Sequence, residues 1–264
     1  MNTKIRLSPP GTLFKKLLLA AAAVLLFLLS FRGLGLDLEK FVRRLSNLGP
    51  VLSRMARLDL SVLPDALLGM LTSLTLAFVS LCIGALLSLI LSFLAASNIA
   101  PSRLLAGAIK GVVAVIRAVP ALVWVLMVVA GMGFGNTGGM IGLIFPVVGY
   151  LTRSFTASIE ELGTALIEAP RSAGAPWLAI VLKCLLPTVL PAFLSWIAIR
   201  MEGNMAESIS LGMVGVSGIG ALLNRSIYQY NYAVTTTLIL VIFLSMFLLE
   251  FAAGVLKRRI TRAQ

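Results

Sequence analysis

The 264 residues are 59% hydrophobic and only 12% charged, with a mean hydropathy of +1.02. A soluble domain carries about 25% charged residues, so this chain lacks the polar side chains to wet a globular surface, and lipid is the solvent for most of it. The net charge of +12 gathers at the ends of apolar runs, not in a stripe interleaved with aromatics, which fits the positive-inside bias and argues against nucleic acid.

Other chemistries are excluded by what is missing. With no histidine, most zinc sites, His-based triads and imidazole proton relays are ruled out. Cys82 and Cys184 sit in apolar segments and read as small hydrophobes. No GxxxxGK[ST] loop occurs, so ATP phosphates have no cradle of the usual kind in this chain.

In chain order, Lys4, Arg6, Lys15 and Lys16 precede an apolar run, Leu17 to Phe31. Phe31-Arg32 stands where a small-residue cleavage site would be, so the run reads as an uncleaved first span with its N-terminus inside. In residues 32–65, Phe41, Leu45, Leu48, Leu52 and Met55 share one helix face, with Arg43, Arg44, Asn47, Arg54 and Arg57 on others. An interfacial amphipathic helix interrupted at Gly49-Pro50 fits this pattern, and so does a solvated linker. The second span is Ala66 to Ala96; the third, Val112 to Phe134, is broken by Pro120 and follows a segment carrying Arg103, Lys110 and Arg117. A glycine turn leads to the fourth span, Met140 to about Ala157, and a polar island covers 158–183. The fifth span is roughly Cys184 to Met201, a Gly- and Ser-rich break with three tyrosines covers 202–232, and the last span is Ala233 to Leu256, followed by a basic end.

Six spans place both termini on one side. With that side as the cytoplasm, the inner segments carry 14 Lys and Arg and the outer ones 7, six of them in residues 32–65. The expected organisation is an anchor and interfacial segment over 1–65, a core over 66–256 and a basic cytoplasmic tail over 257–264. The fold class is all-α integral membrane.

The polar island is the most informative stretch. From Glu160 to Pro191 it predicts a short cytoplasmic helix around Leu162–Ala169, a close-approach glycine at Gly174, and a helix entering the membrane. Pro187 and Pro191 should kink that helix early, with Ser or Thr side chains and neighbours satisfying the freed carbonyls. Glu168, Ala169, Gly174 and Leu186-Pro187 resemble the EAA loop of ABC importer permeases, with Glu160, Glu161 and Arg171 around it. Pro170 departs from the pattern and should end or bend the helix. An ordinary polar connection with acids at a helix start is the plain alternative.

Two further stretches resemble the phosphonate and phosphite branch of those permeases: Arg117-Ala-Val-Pro120-Ala-Leu-Val-Trp124 with Gly131-Met-Gly133, and Glu202-Gly-Asn204 followed by Leu211-Gly212-Met-Val-Gly215-Val-Ser-Gly218-Ile-Gly220. Val216 and Ser217 stand where that branch has Ala and Gly. The resemblance covers about residues 66–256. It implies six transmembrane helices of the type I ABC importer permease fold, in the bacterial inner membrane. It implies a non-catalytic subunit without a cofactor of its own, ATP and Mg being bound by a partner ATPase dimer. A second permease copy, a periplasmic or lipid-anchored solute-binding protein and membrane lipid complete the implied partners. The implied cargo is a phosphonate, phosphite or related phosphorus oxyanion, with methionine or another small solute as the alternative.

The glycine-rich stretch, Leu211, Gly212, Met213, Gly215, Gly218 and Gly220, is expected to form a re-entrant gate near the external mouth, or else a small-residue helix contact. An anionic cargo needs donors, and Arg153, Arg200, Asn204 and Arg225 are the candidates, each arginine serving equally well as a snorkelling anchor. Stand-alone ion-coupled carriers show inverted repeats and intramembrane acids. No repeat is evident, and Glu250 is the acid expected deep inside a span.

Overall fold

The computed structural model describes residues 12–35 and 37–262. The early basic residues Lys4 and Arg6 and the end of the expected tail, 263–264, lie outside them. All regular structure among the described residues is helical, and the chain divides into two compact units, Met1–Ser53 and Arg54–Gln264.

In the first unit, α1 (Thr12–Gly33) is exposed along its described length, as a helix solvated by lipid would be. Then α2 (Leu38–Leu45) places Leu38, Phe41, Val42 and Leu45 on one side and Glu39, Lys40, Arg43 and Arg44 on the other, the pattern of an interfacial helix. Asp37 caps it, accepting from the Lys40 backbone N–H at 2.9 Å, and this bond holds its carboxyl below the usual carboxylate range. The expected break at Gly49-Pro50 is displaced. The chain turns at Ser46-Asn47, and α3 (Leu48–Met55) takes Gly49 and Pro50 into its first turn, where a missing N–H costs nothing.

In the second unit, a 3-10 turn (Leu60–Val62) leads into α4 (Leu63–Ala95), a 33-residue helix. At about 1.5 Å per residue it outruns a ~30 Å hydrocarbon core. Ala66, Ser73, Ala77, Ser80, Gly84, Ser88 and Ser92 are buried along it, the small-residue surface that lets membrane helices approach closely. Its main partner is α7 (Asn136–Glu160); a Cβ on Gly84 would overlap the Val147 side chain. Between them, α5 (Arg103–Ala118) and α6 (Ala121–Met132) bend by 91° at Val119-Pro120. Pro120 thus turns the chain almost at a right angle, far beyond a kink.

After α7 come α8 (Ala165–Ser172) and α9 (Trp177–Ala179), then a π turn (Ile180–Leu185) that runs into α10 (Leu186–Ser210). The π turn directly precedes Pro187, which has no N–H and crowds the carbonyl of Lys183. Thr188 Oγ1 donates to Cys184 O and Ser195 Oγ to Pro191 O. These bonds fall beside the carbonyls that the prolines free, those of Lys183 and Pro187, so the expected hydroxyl rescue is not made there. A 3-10 turn (Leu211–Val214), α11 (Ile219–Tyr228) and α12 (Tyr232–Arg262) complete the chain. Among the described residues, five helical stretches are long and apolar enough to cross a membrane, or six if the bent α5–α6 pair forms one span. The main core joins α4, α7 and α10, where Phe155 stacks on Phe193 with centroids 4.0 Å apart and Phe93 packs alongside.

Candidate functional site

The polar island is built as a rigid pedestal under a free helix. Ile159 and Ile167 are buried, and Leu162, Ala175 and Trp177 pack on the same cluster. Trp177 Nε1 donates to Ile99 O at 2.8 Å, and Asn98 Nδ2 donates to Ile159 O at 2.8 Å. Both bonds pin the island to the connection after α4. The helix itself is α8, three residues later than the expected Leu162–Ala169. Pro170 does not end it, and α8 runs through to Ser172. Its end is a Schellman turn, with Ala175 N donating to Pro170 O and Gly174 N to Arg171 O, both at 3.0 Å. Gly174 serves that turn through its φ of +79°, and nothing lies within 4 Å of where its Cβ would be. Its role is conformational, not the expected close approach.

The two adjacent acids part company. Glu160 turns inward, its Oε1 accepting from Ser97 N and pairing with Lys110 Nζ, both at 2.7 Å. Glu161, Glu168, Ala169 and Arg171 are exposed, and among the described residues neither acid nor Arg171 has an ion-pair partner.

The glycine stretch closes a tight hairpin between the end of α10 and α11. Gly215 (φ +80°) and Gly218 (φ +137°) occupy backbone regions that side chains disfavour. A Cβ on Gly220 would overlap the Ile209 carbonyl oxygen, and one on Gly212 would overlap the backbone of Gly220 and Ala221. Neighbours lock the hairpin: Asn136 Oδ1 accepts from Ser217 N at 3.1 Å, and Ser73 Oγ accepts from Ile219 N at 3.3 Å. Leu211 is buried, whereas Met213 is 71% exposed.

The pathway candidates do not converge. Arg200 and Asn204 sit together, buried on α10. Asn204 Nδ2 donates to Ala77 O (2.6 Å) and Ser80 Oγ (2.8 Å), which crosslinks α10 to α4. Arg200 is gripped bidentately by Glu207, at 3.0 and 2.6 Å, and lies 5.7 Å from the Tyr150 ring centroid. Arg153 is exposed at the opposite end of α7 from Asn136, and Arg225 is exposed on α11 beside Gln229 and Asn231. α10 extends nine residues past the expected end at Met201, so Glu202 and Glu207 join Glu250 as acids within long apolar helices.

Residues 88–262 match the family described as binding-protein-dependent transport system inner membrane component. The chain belongs to that family. The phosphite transport system permease protein PtxC of Stutzerimonas stutzeri is 33% identical over 186 residues, 70% of this chain and 68% of that protein. The phosphate-import permease protein PhnE of Mycolicibacterium smegmatis is 31% identical over 182 residues, 69% of this chain but only 34% of its own length. Among solved structures, the inward-facing MetNI methionine ABC transporter superposes with a TM-score of 0.69 at 23% identity, covering 77% of this chain and 99% of that one. The chain is therefore a multi-pass, non-catalytic permease subunit of an ABC importer, with the type I importer permease fold.

In the permease, Glu207 is the residue that reading the sequence missed. Its signal is the seven-residue spacing from Arg200, two helical turns on one face, which an early end to the fifth span conceals. Glu207→Gln should destabilise the fold by up to about 3 kcal/mol, because it strands a buried guanidinium whose Nε already lacks a partner. Glu207 retains 28% exposure, which keeps the effect from being larger. A thermal melt in detergent reads this, and an unshifted midpoint would show that the pair contributes little.

Proposed function

We propose that this permease imports a phosphorus oxyanion of the phosphite, phosphonate or phosphate class, as a homodimer powered by an ABC ATPase dimer. The ATPase grips α8 from the cytosol, and a periplasmic or lipid-anchored solute-binding protein delivers cargo at the other face. Both termini are cytoplasmic in the bacterial inner membrane. Residues 1–65 serve as anchor and interfacial segment, 66–256 as transport core and 257–264 as tail. The observation that carries the reading is α8, a short helix held by buried Ile167 whose outward charges have no partner in the described chain. A mechanical handle needs that combination: stiffly attached, yet free to be gripped. The cargo class follows the relatives named for phosphite and phosphate, which share 33% and 31% identity.

In this scheme Glu161, Glu168, Ala169 and Arg171 form the gripped surface, and Glu160, Gly174 and Pro187 hold its geometry. The hairpin of Leu211, Gly212, Met213, Gly215, Gly218 and Gly220 acts as a gate, its backbone packed too tightly to flex residue by residue. It would therefore move as a body with α10. Arg153, Arg200, Asn204 and Arg225 remain the pathway candidates, Arg200 needing Glu207 to release it before it could meet an anion. Proteoliposomes with the cognate ATPase and binding protein should accumulate phosphite, phosphonate or phosphate only with ATP. Uptake without the ATPase, or methionine binding by the cognate external protein, would overturn the assignment. Thiol labelling of Met213→Cys should change when nucleotide is trapped; constant labelling removes the gate.

A further inference from the structure

On α5, Arg103, Lys110 and Arg117 are seven residues apart, and so are its buried residues Ala106 and Val113. Seven residues make nearly two turns, so a basic stripe runs beside the packed one. Where α5 crosses α7, Lys110, Arg117 and Arg153 line one cavity of about 340 Å³, together with Thr152, Thr156 and Glu160. The approach is made possible by Gly149, since a Cβ there would come within 2.9 Å of Arg117 Cγ.

Two features separate this cavity from a row of snorkelling charges. Thr152 and Thr156 line the space and are 1% and 6% exposed, and their hydroxyl oxygens, themselves buried, have no hydrogen-bond partner. A helical threonine usually satisfies its hydroxyl on a carbonyl one turn back, and buried polar groups without partners call for an explanation. In addition, Glu160 compensates Lys110, whereas Arg117 and Arg153 have no carboxylate partner among the described residues. Two guanidinium groups and two idle hydroxyls offer donors only to something that carries several acceptor oxygens and negative charge.

We propose that the cavity between α4, α5 and α7 binds a phosphate-class oxyanion, with Arg117, Arg153 and Lys110 supplying charge and Thr152 and Thr156 donating from the wall. Two sources share this chemistry. One is the headgroup phosphate of an anionic phospholipid reaching in beside the amphipathic α5. The other is a soluble oxyanion, and in that form the site deepens the proposed cargo class and rests on it. Either occupant competes with Glu160 for Lys110, at the residue that leads into the island carrying α8. Occupancy is thereby coupled to the pedestal.

The full-length protein, purified in detergent, is titrated calorimetrically with inorganic phosphate and with phosphite. In parallel, native mass spectrometry follows retention of added phosphatidylglycerol against phosphatidylcholine. Arg117→Gln with Arg153→Gln should weaken the bound partner at least tenfold, roughly what losing one charge-assisted hydrogen bond removes. Thr152→Val should weaken it severalfold, while Thr152→Ser retains it. Saturable phosphate or phosphite binding lost in the variants assigns the soluble source; selective phosphatidylglycerol retention lost in them assigns the lipid. If the double variant does not purify as a single species, Thr152→Val against Thr152→Ser decides alone. A wild type that holds no probe better than the variants, or that binds neither phosphate nor phosphite and holds both lipids equally, removes the site. ATP-driven uptake that persists in that case leaves the transport assignment standing, so the two failures are distinguishable.

Discussion

Gly220→Ala should leave almost no folded permease. The Ile209 carbonyl occupies the position of the added methyl, and that carbonyl belongs to the last turn of α10, which cannot rotate away without unwinding. Overpacking a core usually costs 1–3 kcal/mol because side chains give way. Here the obstacle is backbone, so the cost should exceed about 3 kcal/mol, a large part of the 5–15 kcal/mol that folded domains typically possess. Moving α11 aside offers no relief, because its start is tied to α4 through Ser73 Oγ and Ile219 N. Gly107→Ala is the matched control: it lies in α5 with nothing within 4 Å of its Cβ, and the added methyl favours helix. Gel filtration and thermal melting should show a monodisperse, unshifted Gly107→Ala and an aggregated or absent Gly220→Ala. A Gly220→Ala protein that melts with the wild type would mean the hairpin packs differently.

What the sequence shows and what it hides follow from the range of the forces involved. Pro120 and the apolar runs act locally, so the spans and the break in the third were legible. The size of that break, 91°, depends on where α5 finds its packing partner and was not. The Gly- and Ser-rich composition of 202–232 reads as a break after Met201, yet α10 runs on to Ser210. Within that continuation Glu207 neutralises Arg200 two turns on. Gly174 shows the same limit: spacing reveals that a glycine is special, but not whether φ or crowding makes it so. The pairing of Lys110 with Glu160, and the meeting of Arg117 with Arg153, join residues dozens of positions apart. No pattern within either segment announces them. Read alone, each of these cations looks like a topological charge.

Reversing the outward charges of α8 should silence transport while sparing the fold. Glu161 and Glu168 are exposed and make no ion pair among the described residues, so Glu161→Lys with Glu168→Lys should change stability by no more than about 0.5 kcal/mol, the usual range for such surface positions. Charges seated in a partner's groove are another matter, since disrupting a hydrogen-bonded interface charge costs about 2–5 kcal/mol. ATP-driven uptake should therefore fall by more than tenfold, and the ATPase should no longer co-purify. Ile167→Ala separates attachment from grip. It keeps both charges but removes the buried side chain that seats α8, at about 2–5 kcal/mol. That variant should lose uptake together with melting temperature, whereas the charge reversal loses uptake alone. Uptake within about twofold of wild type for the double lysine variant, at an unchanged melting point, would show that force enters the permease somewhere other than α8.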